Sequence, residues 1–265
     1  MKYKIAGIYF DNLTMDEAVL AIVEMVTNGN GPHQVCTANL DHLESLRRDR
    51  DFLAVYKSAD LILADGMPIV WLSHAGPAPL KERVAGSDLL YSLSSKSAEL
   101  GLRMFFLGGK PDAAARSAEI LVERYPGLKV VGTYCPAKEL LNTPDEEKHI
   151  QAMIDEARPD ILLVGFGAPK QEKWIAAHRD RLKVPVSIGV GATFDMAAGM
   201  VRRAPRWMQH AGLEWAFRLI QEPRRLYGRY LVKDLPFLVH LVLDLLHERK
   251  ALDPSRATSK TNLPL

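Results

Sequence analysis

A glycine-rich turn lies in the middle of the chain, between an apolar run and the start of a helix, in residues 161–172 (ILLVGFGAPKQE). The first four residues are typical of a strand that is buried on both faces. Gly165 and Gly167 permit a sharp turn and a close approach of the backbone to a ligand. Free N–H groups and the positive end of the next helix favour an anion such as a diphosphate, with Lys170 and Gln171 beside it. Such turns also occur without ligands, so this turn alone leaves its role open.

Asp65 is the strongest candidate for a catalytic group, because it directly follows an apolar strand predicted over residues 60–64 and lies where a helix begins. Aspartate in this position is also a good helix cap, so position alone leaves both roles open. Thr37 and Asn39 follow a neighbouring predicted strand, where they can exchange hydrogen bonds but cannot act as bases near neutral pH. Asp195 follows another strand, and a turn-forming role suits it as well as a binding role. Two carboxylates beside a backbone that suits phosphate are consistent with sugar-nucleotide chemistry.

The alternation of strands and helices through residues 1–199 predicts an α/β fold, a Rossmann-like and mostly parallel sheet with helices on both faces. The prediction includes a single strand over residues 4–10 and one charged helix that ends near residue 57. Ligands of such sheets bind beyond the carboxyl ends of the strands. The residues predicted to lie there are Thr37, Asn39, Asp41, Asp65, Gly108, Gly109, Gly165, Gly167, Lys170, Gln171, Gly191 and Asp195.

The glycines do not match the motifs that bind common nucleotide cofactors. Neither Gly165-x-Gly167 nor Gly189-x-Gly191 is followed by the third glycine of a dinucleotide fingerprint, which argues against an oxidoreductase that uses NAD. P-loop, HExxH and CxxC patterns are also absent from the sequence. Residues 49–51 (DRD) resemble a metal-binding D-x-D motif, but residues two apart in the predicted helix point in different directions, so we interpret them as solvated. We therefore expect neither a cofactor nor a metal ion.

Residues 200–250 differ in character from the preceding core. They contain ten Lys and Arg against five Asp and Glu, whereas residues 1–199 contain 22 against 26. Aromatic residues alternate with arginines there, which indicates either an arginine clamp on a diphosphate or docking on anionic lipid, although an ordinary solvated helix remains open. The helix predicted over residues 235–246 is apolar nearly all round, and it is interpreted as an interfacial helix, a dimer contact or a core helix. We expect residues 251–265 to form a disordered tail.

The overall composition narrows the class of protein. The 265 residues have a net charge of only +2, so no global field favours nucleic acid as a partner. Cys36 and Cys135 are the two cysteines, which favours a reducing compartment without a disulfide framework. The N-terminal residues lack the apolar core of a signal peptide, and no apolar run approaches the length of about 20 residues that a membrane span requires.

Six ordered segments together resemble the WecG/TagA/CpsF glycosyltransferases, and the resemblance covers residues 3–247. The segments are TAN (37–39), ADGMP (64–68), RVAGSD (83–88), GFGAPKQE (165–172), GVGATFD (189–195) and the C-terminal set RAP-x-W (203–207), GLEW (212–215) and EPRRL (222–226). The resemblance implies an inverting, metal-independent transfer from a UDP-sugar to a polyprenyl-diphosphate-linked sugar at the cytoplasmic face of the cell membrane. Such enzymes build teichoic-acid linkage units, enterobacterial common antigen, capsules and exopolysaccharides.

The resemblance also assigns roles to residues. Asp65 corresponds to the proposed base, and the pocket residues are Thr37, Asn39, Arg83, Gln171 and Asp195, with Arg218, Arg225 and Arg229 facing the diphosphate. We place UDP along Gly165, Gly167, Lys170 and Gln171 and over the turn at Gly191, with Gly108 nearby. A non-catalytic nucleotide-sugar-binding or regulatory protein on the same fold is the main alternative. The sequence does not identify the donor sugar, and a homo-oligomer stays open.

Overall fold

A computed structural model describes residues 2–75 and 79–251, so the expected tail lies outside the described residues except for Ala251. The strands are β1 Lys2–Ile5, β2 Ile8–Asp11, β3 His33–Ala38, β4 Leu61–Ala64, β5 Arg103–Gly108, β6 Lys129–Tyr134, β7 Ile161–Gly165 and β8 Val186–Gly189. Strands β3 to β8 form one parallel sheet in the order β4-β3-β8-β7-β5-β6. The predicted α/β class with a parallel sheet is confirmed.

Helices lie on both faces of the sheet and connect its parallel strands. The first nine are α1 Met15–Thr27, α2 Leu40–Arg48, α3 Arg50–Ser58, α4 Met67–Ser73, α5 Gly86–Leu100, α6 Ala113–Arg124, α7 Pro144–Ala157, α8 Lys170–Leu182 and α9 Thr193–Ala197. Alternate residues of each strand enter opposite cores. In β7, for example, Ile161 and Leu163 pack with α1, α5 and α6, whereas Leu162 and Val164 pack with α7 and α8. Burial on both faces explains why β7 is a continuous apolar run.

Two sequence predictions about the first sixty residues are wrong. The predicted single strand over residues 4–10 is a hairpin of β1 and β2, because Ala6 and Gly7 both have positive φ, at 49° and 87°, as a two-residue hairpin turn requires. The predicted charged helix is divided into α2 and α3 at Asp49, which is extended. The Asp49 carboxylate accepts the Phe52 N–H at 2.9 Å and starts a second helix instead of continuing the first.

Four short helical segments and one long helix follow the sheet, and several of their residues lie over its carboxyl edge. They are α10 Arg206–His210, α11 Glu214–Gln221, α12 Pro223–Tyr227, a π-helical segment Gly228–Asp234 and α13 Leu235–Ala251. We call residues 200–251 the appendage. Phe237 of α13 is buried in the core cluster of α2 and α3, whereas Val239, Val242 and Leu243 are exposed. Helix α13 therefore covers the core on one side and presents an apolar surface on the other.

Candidate active site

A cavity of about 510 Å³ lies between the carboxyl ends of the strands and the appendage. We call it the central cavity. Nine of the predicted site residues line it, namely Thr37, Asn39, Asp65, Arg83, Gly167, Gln171, Gly191, Arg218 and Arg229. Parallel strands bring their carboxyl ends to one edge of the sheet, which explains why residues so distant in sequence meet there.

Asp65 directly follows β4 and lies at the sheet end of the central cavity. Its Oδ2 accepts the Gly86 N–H at 3.3 Å. Burial raises the pKa of the Asp65 carboxyl above its usual range, while the positive charge of Arg83 and the Gly86 N–H oppose that rise and the negative charge of Glu214 adds to it. A carboxylate with a raised pKa at the wall of a cavity is suited to accept a proton.

Thr37 and Asn39 are fixed by bonds to their surroundings. The Thr37 hydroxyl donates to the Gly189 carbonyl at 3.0 Å, which leaves its oxygen lone pairs as the groups that a ligand can use. Asn39 caps α2, where its Oδ1 accepts the His42 N–H at 3.3 Å and lies 2.7 Å from His42 Nδ1. Both side chains therefore contribute a rigid polar wall to the central cavity.

Gln171 occupies two backbone N–H groups, one of them in the turn whose N–H groups the sequence predicted to be free. Its buried Oε1 accepts the N–H of Gly167 at 3.1 Å and the N–H of Gly191 at 2.9 Å, while its Nε2 donates to Glu172 Oε1 at 2.7 Å. The prediction of free N–H groups is wrong at Gly167, because the Gln171 side chain already joins its turn to that of Gly191. Gln171 thus shapes the cavity wall.

Gly108, Gly165 and Lys170 lie outside the central cavity. A Cβ on Gly108 would approach the Gly165 carbonyl oxygen to 2.9 Å, and a Cβ on Gly165 would approach the Gly191 oxygen to 2.9 Å. The first two glycines thus permit close contact between strand ends. Lys170 is exposed at the start of α8. A role for these three residues in substrate binding stays a prediction.

Asp195 faces a second cavity of about 560 Å³, which adjoins the central cavity at Ala192 and Arg218. We call it the basic cavity, because Lys110, Lys138, Arg218 and Arg224 also line it. Asp195 Oδ1 accepts the Lys110 N–H at 2.8 Å, which holds the loop after β5 against the loop after β8. No pattern in the sequence predicts that the residues at the strand ends are divided between two cavities.

Arg83 joins the core to the appendage. It donates to Glu214 Oε2 at 3.2 Å and to Asp88 Oδ2 at 3.0 Å, and Arg203 donates to the two oxygens of Asp88 at 2.5 and 2.6 Å. Two cations and two anions therefore alternate in one network, of which Arg83 and Glu214 line the central cavity. The family resemblance identified Arg83 as a pocket residue. Its partner Glu214 is 131 residues further along the chain, so no local pattern predicts the pair.

The three predicted arginines of the appendage are placed differently. Arg218 lines both cavities and forms no ion pair within the described part of the chain. Arg229 pairs with Asp41 at 3.1 Å and lines the central cavity. The side chain of Arg225 is not among those described.

Residues 2–75 and 79–251 contain no group of three or more His, Cys, Asp or Glu side chains arranged to hold a metal ion. Within the same ranges, no helix combines the length and the apolar character needed to cross a bilayer.

The chain was compared with known proteins. Residues 3–251 match a family model whose description is "Glycosyl transferase WecG/TagA/CpsF family". Relatives named N-acetylglucosaminyldiphosphoundecaprenol N-acetyl-beta-D-mannosaminyltransferase include one from Bacillus subtilis (strain 168), 33% identical over 72% of both chains. Another from Bacillus spizizenii is 33% identical over 83% of this chain and 81% of the relative. One from Staphylococcus aureus (strain MRSA252) is 28% identical over 91% and 92%. The chain therefore belongs to the WecG/TagA/CpsF family of glycosyltransferases.

Proposed function

We propose that this protein transfers N-acetylmannosamine or a related hexose from a UDP-sugar to a polyprenyl-diphosphate-linked sugar, in the assembly of a cell-wall or extracellular polysaccharide. The observation that carries this proposal is the position of Asp65. Its carboxyl group lies in a cavity that is closed on one side by the strand ends and on the other by an arginine-containing appendage. The relatives' name supports the acceptor class, because it describes transfer to a sugar on undecaprenyl diphosphate.

The two adjoining cavities suggest how the substrates divide the site. We place the acceptor sugar in the central cavity beside Asp65 and the nucleotide of the donor in the basic cavity beside Asp195, with the diphosphate near Gly191 and Arg218. This arrangement extends the predicted UDP site from the glycine turns toward Lys110. It puts the anomeric carbon of the donor where the two cavities meet.

The reaction then needs one base and a charged environment for the leaving group. An acceptor hydroxyl gives its proton to the Asp65 carboxylate while its oxygen forms the new bond to the anomeric carbon. The bond from that carbon to the β-phosphate oxygen breaks, and its electron pair leaves with UDP on the opposite face, which inverts the configuration. Arg218 and the lysines of the basic cavity stabilise the departing charge, a task that a metal ion performs in other enzymes.

The appendage supplies the features needed to reach a lipid-linked substrate. Trp207, Ile220, Tyr227 and Val232 are exposed, with Ile220 78% accessible, in a segment that also carries the excess positive charge. Apolar side chains can enter the headgroup region while each Lys or Arg near an anionic surface contributes about 1 kcal/mol of attraction. We therefore propose a cytoplasmic protein that binds peripherally to the inner face of the cell membrane.

Replacing Asp65 by asparagine tests the proposal. Asp65→Asn removes the base and keeps the size of the side chain, so we expect UDP binding to persist and kcat to fall by about 10²–10⁴-fold. The assay measures UDP release and glycan transfer with a panel of UDP-sugars and a synthetic sugar-diphosphate lipid. Asp180→Asn is the matched control, because the Asp180 side chain is 89% exposed and lies outside both cavities.

The same assay separates the proposal from its alternative. A non-catalytic nucleotide-sugar-binding or regulatory protein would bind UDP but release none from the donor when the acceptor is added. Turnover of Asp65→Asn close to that of the wild type would show that another group accepts the proton.

A further inference from the structure

Asp234 is a buried carboxyl group that the mechanism above does not use. It ends the π-helical segment Gly228–Asp234, lines the central cavity and is 6% exposed. Its Oδ1 is closed off from water and has no hydrogen-bond partner among the described residues. Such an unpaired oxygen is costly, since buried polar groups in proteins are nearly always satisfied.

The surroundings of Asp234 do not satisfy its charge. Burial and the negative charges of Asp41 and Glu44 in α2 disfavour the charged form of Asp234. The positive charge of Arg229 and the nearby His42 favour the charged form, but their effect is smaller. Arg229 itself is engaged with Asp41 at 3.1 Å, and the Nε of Arg229 also has no partner among the described residues. A donor and an acceptor of the same helical segment, both from residues that line the cavity, thus remain unpaired among the described residues.

The neighbours on the same wall indicate the kind of ligand. Leu231, Leu235 and Leu238 line the cavity next to Asp234, and Trp215 and Tyr230 add aromatic faces. None of these five residues lines the basic cavity. A sugar offers hydroxyl and amide donors on its edge and an apolar face for an aromatic ring, and the first units of a polyprenyl chain suit leucines.

From this we infer that Asp234 is a specificity-determining residue for the acceptor, whose sugar hydroxyl or amide N–H donates to the Asp234 carboxylate while Arg229 binds the acceptor diphosphate. The inference rests on the proposed function. Rotation about the last side-chain bond of Asp234 is enough to turn an oxygen into the cavity, because that torsion is broad for aspartate. The acceptor then replaces the missing hydrogen-bond partner.

The test compares Asp234→Asn and Asp234→Leu with the wild type in steady-state kinetics. The acceptor is N-acetylglucosaminyl diphosphate carrying a short polyprenyl chain, and each Km is measured separately for donor and acceptor. We expect the Km for the acceptor to rise about 10-fold in Asp234→Asn and about 100-fold in Asp234→Leu, as for hydrogen bonds to a charged group. The donor Km stays within about twofold of that of the wild type, because the donor nucleotide is placed in the basic cavity, which Asp234 does not line. Asp244→Asn is the matched control, since Asp244 is exposed on α13 outside the cavity.

A pH profile adds a readout that a purely structural role would not change. A carboxylate accepts hydrogen bonds more strongly than a carboxylic acid, so the wild-type acceptor Km falls as Asp234 ionises on raising the pH from about 6 to about 8. That dependence disappears in Asp234→Asn. An unchanged acceptor Km in a folded Asp234→Leu protein, or a rise in the donor Km alone, overturns the inference. Failure of the wild type to use any lipid-linked acceptor would instead refute the proposed function.

Discussion

Replacing Asp234 by asparagine is expected to stabilise the protein at alkaline pH. Burial, together with the negative charges of Asp41 and Glu44, raises the pKa of Asp234 to about 7, whereas an aspartate in an unfolded chain has a pKa of about 3.9. Between these two values the folded protein retains a proton that the unfolded chain has released. The free energy of unfolding of the wild type therefore falls as the pH rises through this window, and the loss is complete above pH 7.

The structure sets the size of this effect. The free energy of unfolding changes by about 1.36 kcal/mol for each pH unit in this window. Between about pH 5 and the folded-state pKa of about 7, the loss is therefore about 2.7 kcal/mol. The effective dielectric constant of a protein interior is higher than burial alone implies, so we expect about half of this loss, about 1.4 kcal/mol. Asparagine at position 234 cannot ionise, so the Asp234→Asn protein does not lose this unfolding free energy as the pH rises.

Urea unfolding at about pH 5 and about pH 8 measures the difference. We expect the free energy of unfolding of Asp234→Asn, relative to the wild type, to increase by about 1.4 kcal/mol between the two values. The exposed Asp244→Asn control keeps a constant difference from the wild type. If Asp234→Asn also keeps a constant difference, Asp234 ionises normally and the physical basis for its unusual environment is wrong.

Three other outcomes can be measured on the full chain. Gly167 has a φ of 78°, a Cβ there would meet no atom within 4 Å, and its N–H shares Gln171 Oε1 with the N–H of Gly191, beside which the donor diphosphate is placed. Gly167→Val should therefore extend toward the donor diphosphate, weaken UDP binding about 10-fold in calorimetry and cost about 1–2 kcal/mol in backbone strain. Gly29→Val, at a φ of 66° in an equally open loop, controls for the strain and should leave UDP affinity unchanged. Chelation with EDTA should leave transfer activity intact, and a complete loss that a divalent ion restores would contradict metal independence. Binding to anionic liposomes should fall steeply from low to physiological salt and weaken in Ile220→Ser, whereas indifference to liposomes would argue against docking.

The fold was predictable because its main signals are local. Strands buried on both faces are continuous apolar runs, as in β7, and glycine or aspartate follows the strands at their carboxyl ends. Those ends converge by topology alone, so the sequence predicts that Thr37, Asp65, Gln171 and Gly191 share one edge of the sheet, where they line one cavity.

The errors and omissions come from side chains that bind distant or unexpected partners. Asp49 captures an N–H and divides a helix that propensity alone would continue. Gln171 reaches the N–H groups of two separate turns, a geometry that depends on the spacing between β7 and β8. Asp234 is an ordinary polar residue in the sequence, and it becomes unusual only because the π-helical segment packs it against the acidic start of α2.

Two of the three arginines that line the central cavity are paired with carboxylates of the protein itself. Arg83 and Arg203 share Asp88 and lie against Glu214, and Arg229 is held by Asp41. A diphosphate that binds to any of these arginines must therefore compete with a carboxylate partner, which reduces the net gain from the new ion pair. Arg218 forms no such pair in the part of the chain that the structure describes, and it lies where the two cavities meet. The absence of such a partner favours the hypothesis that Arg218 binds the donor diphosphate directly, and under the inference above Arg229 would exchange Asp41 for the acceptor diphosphate.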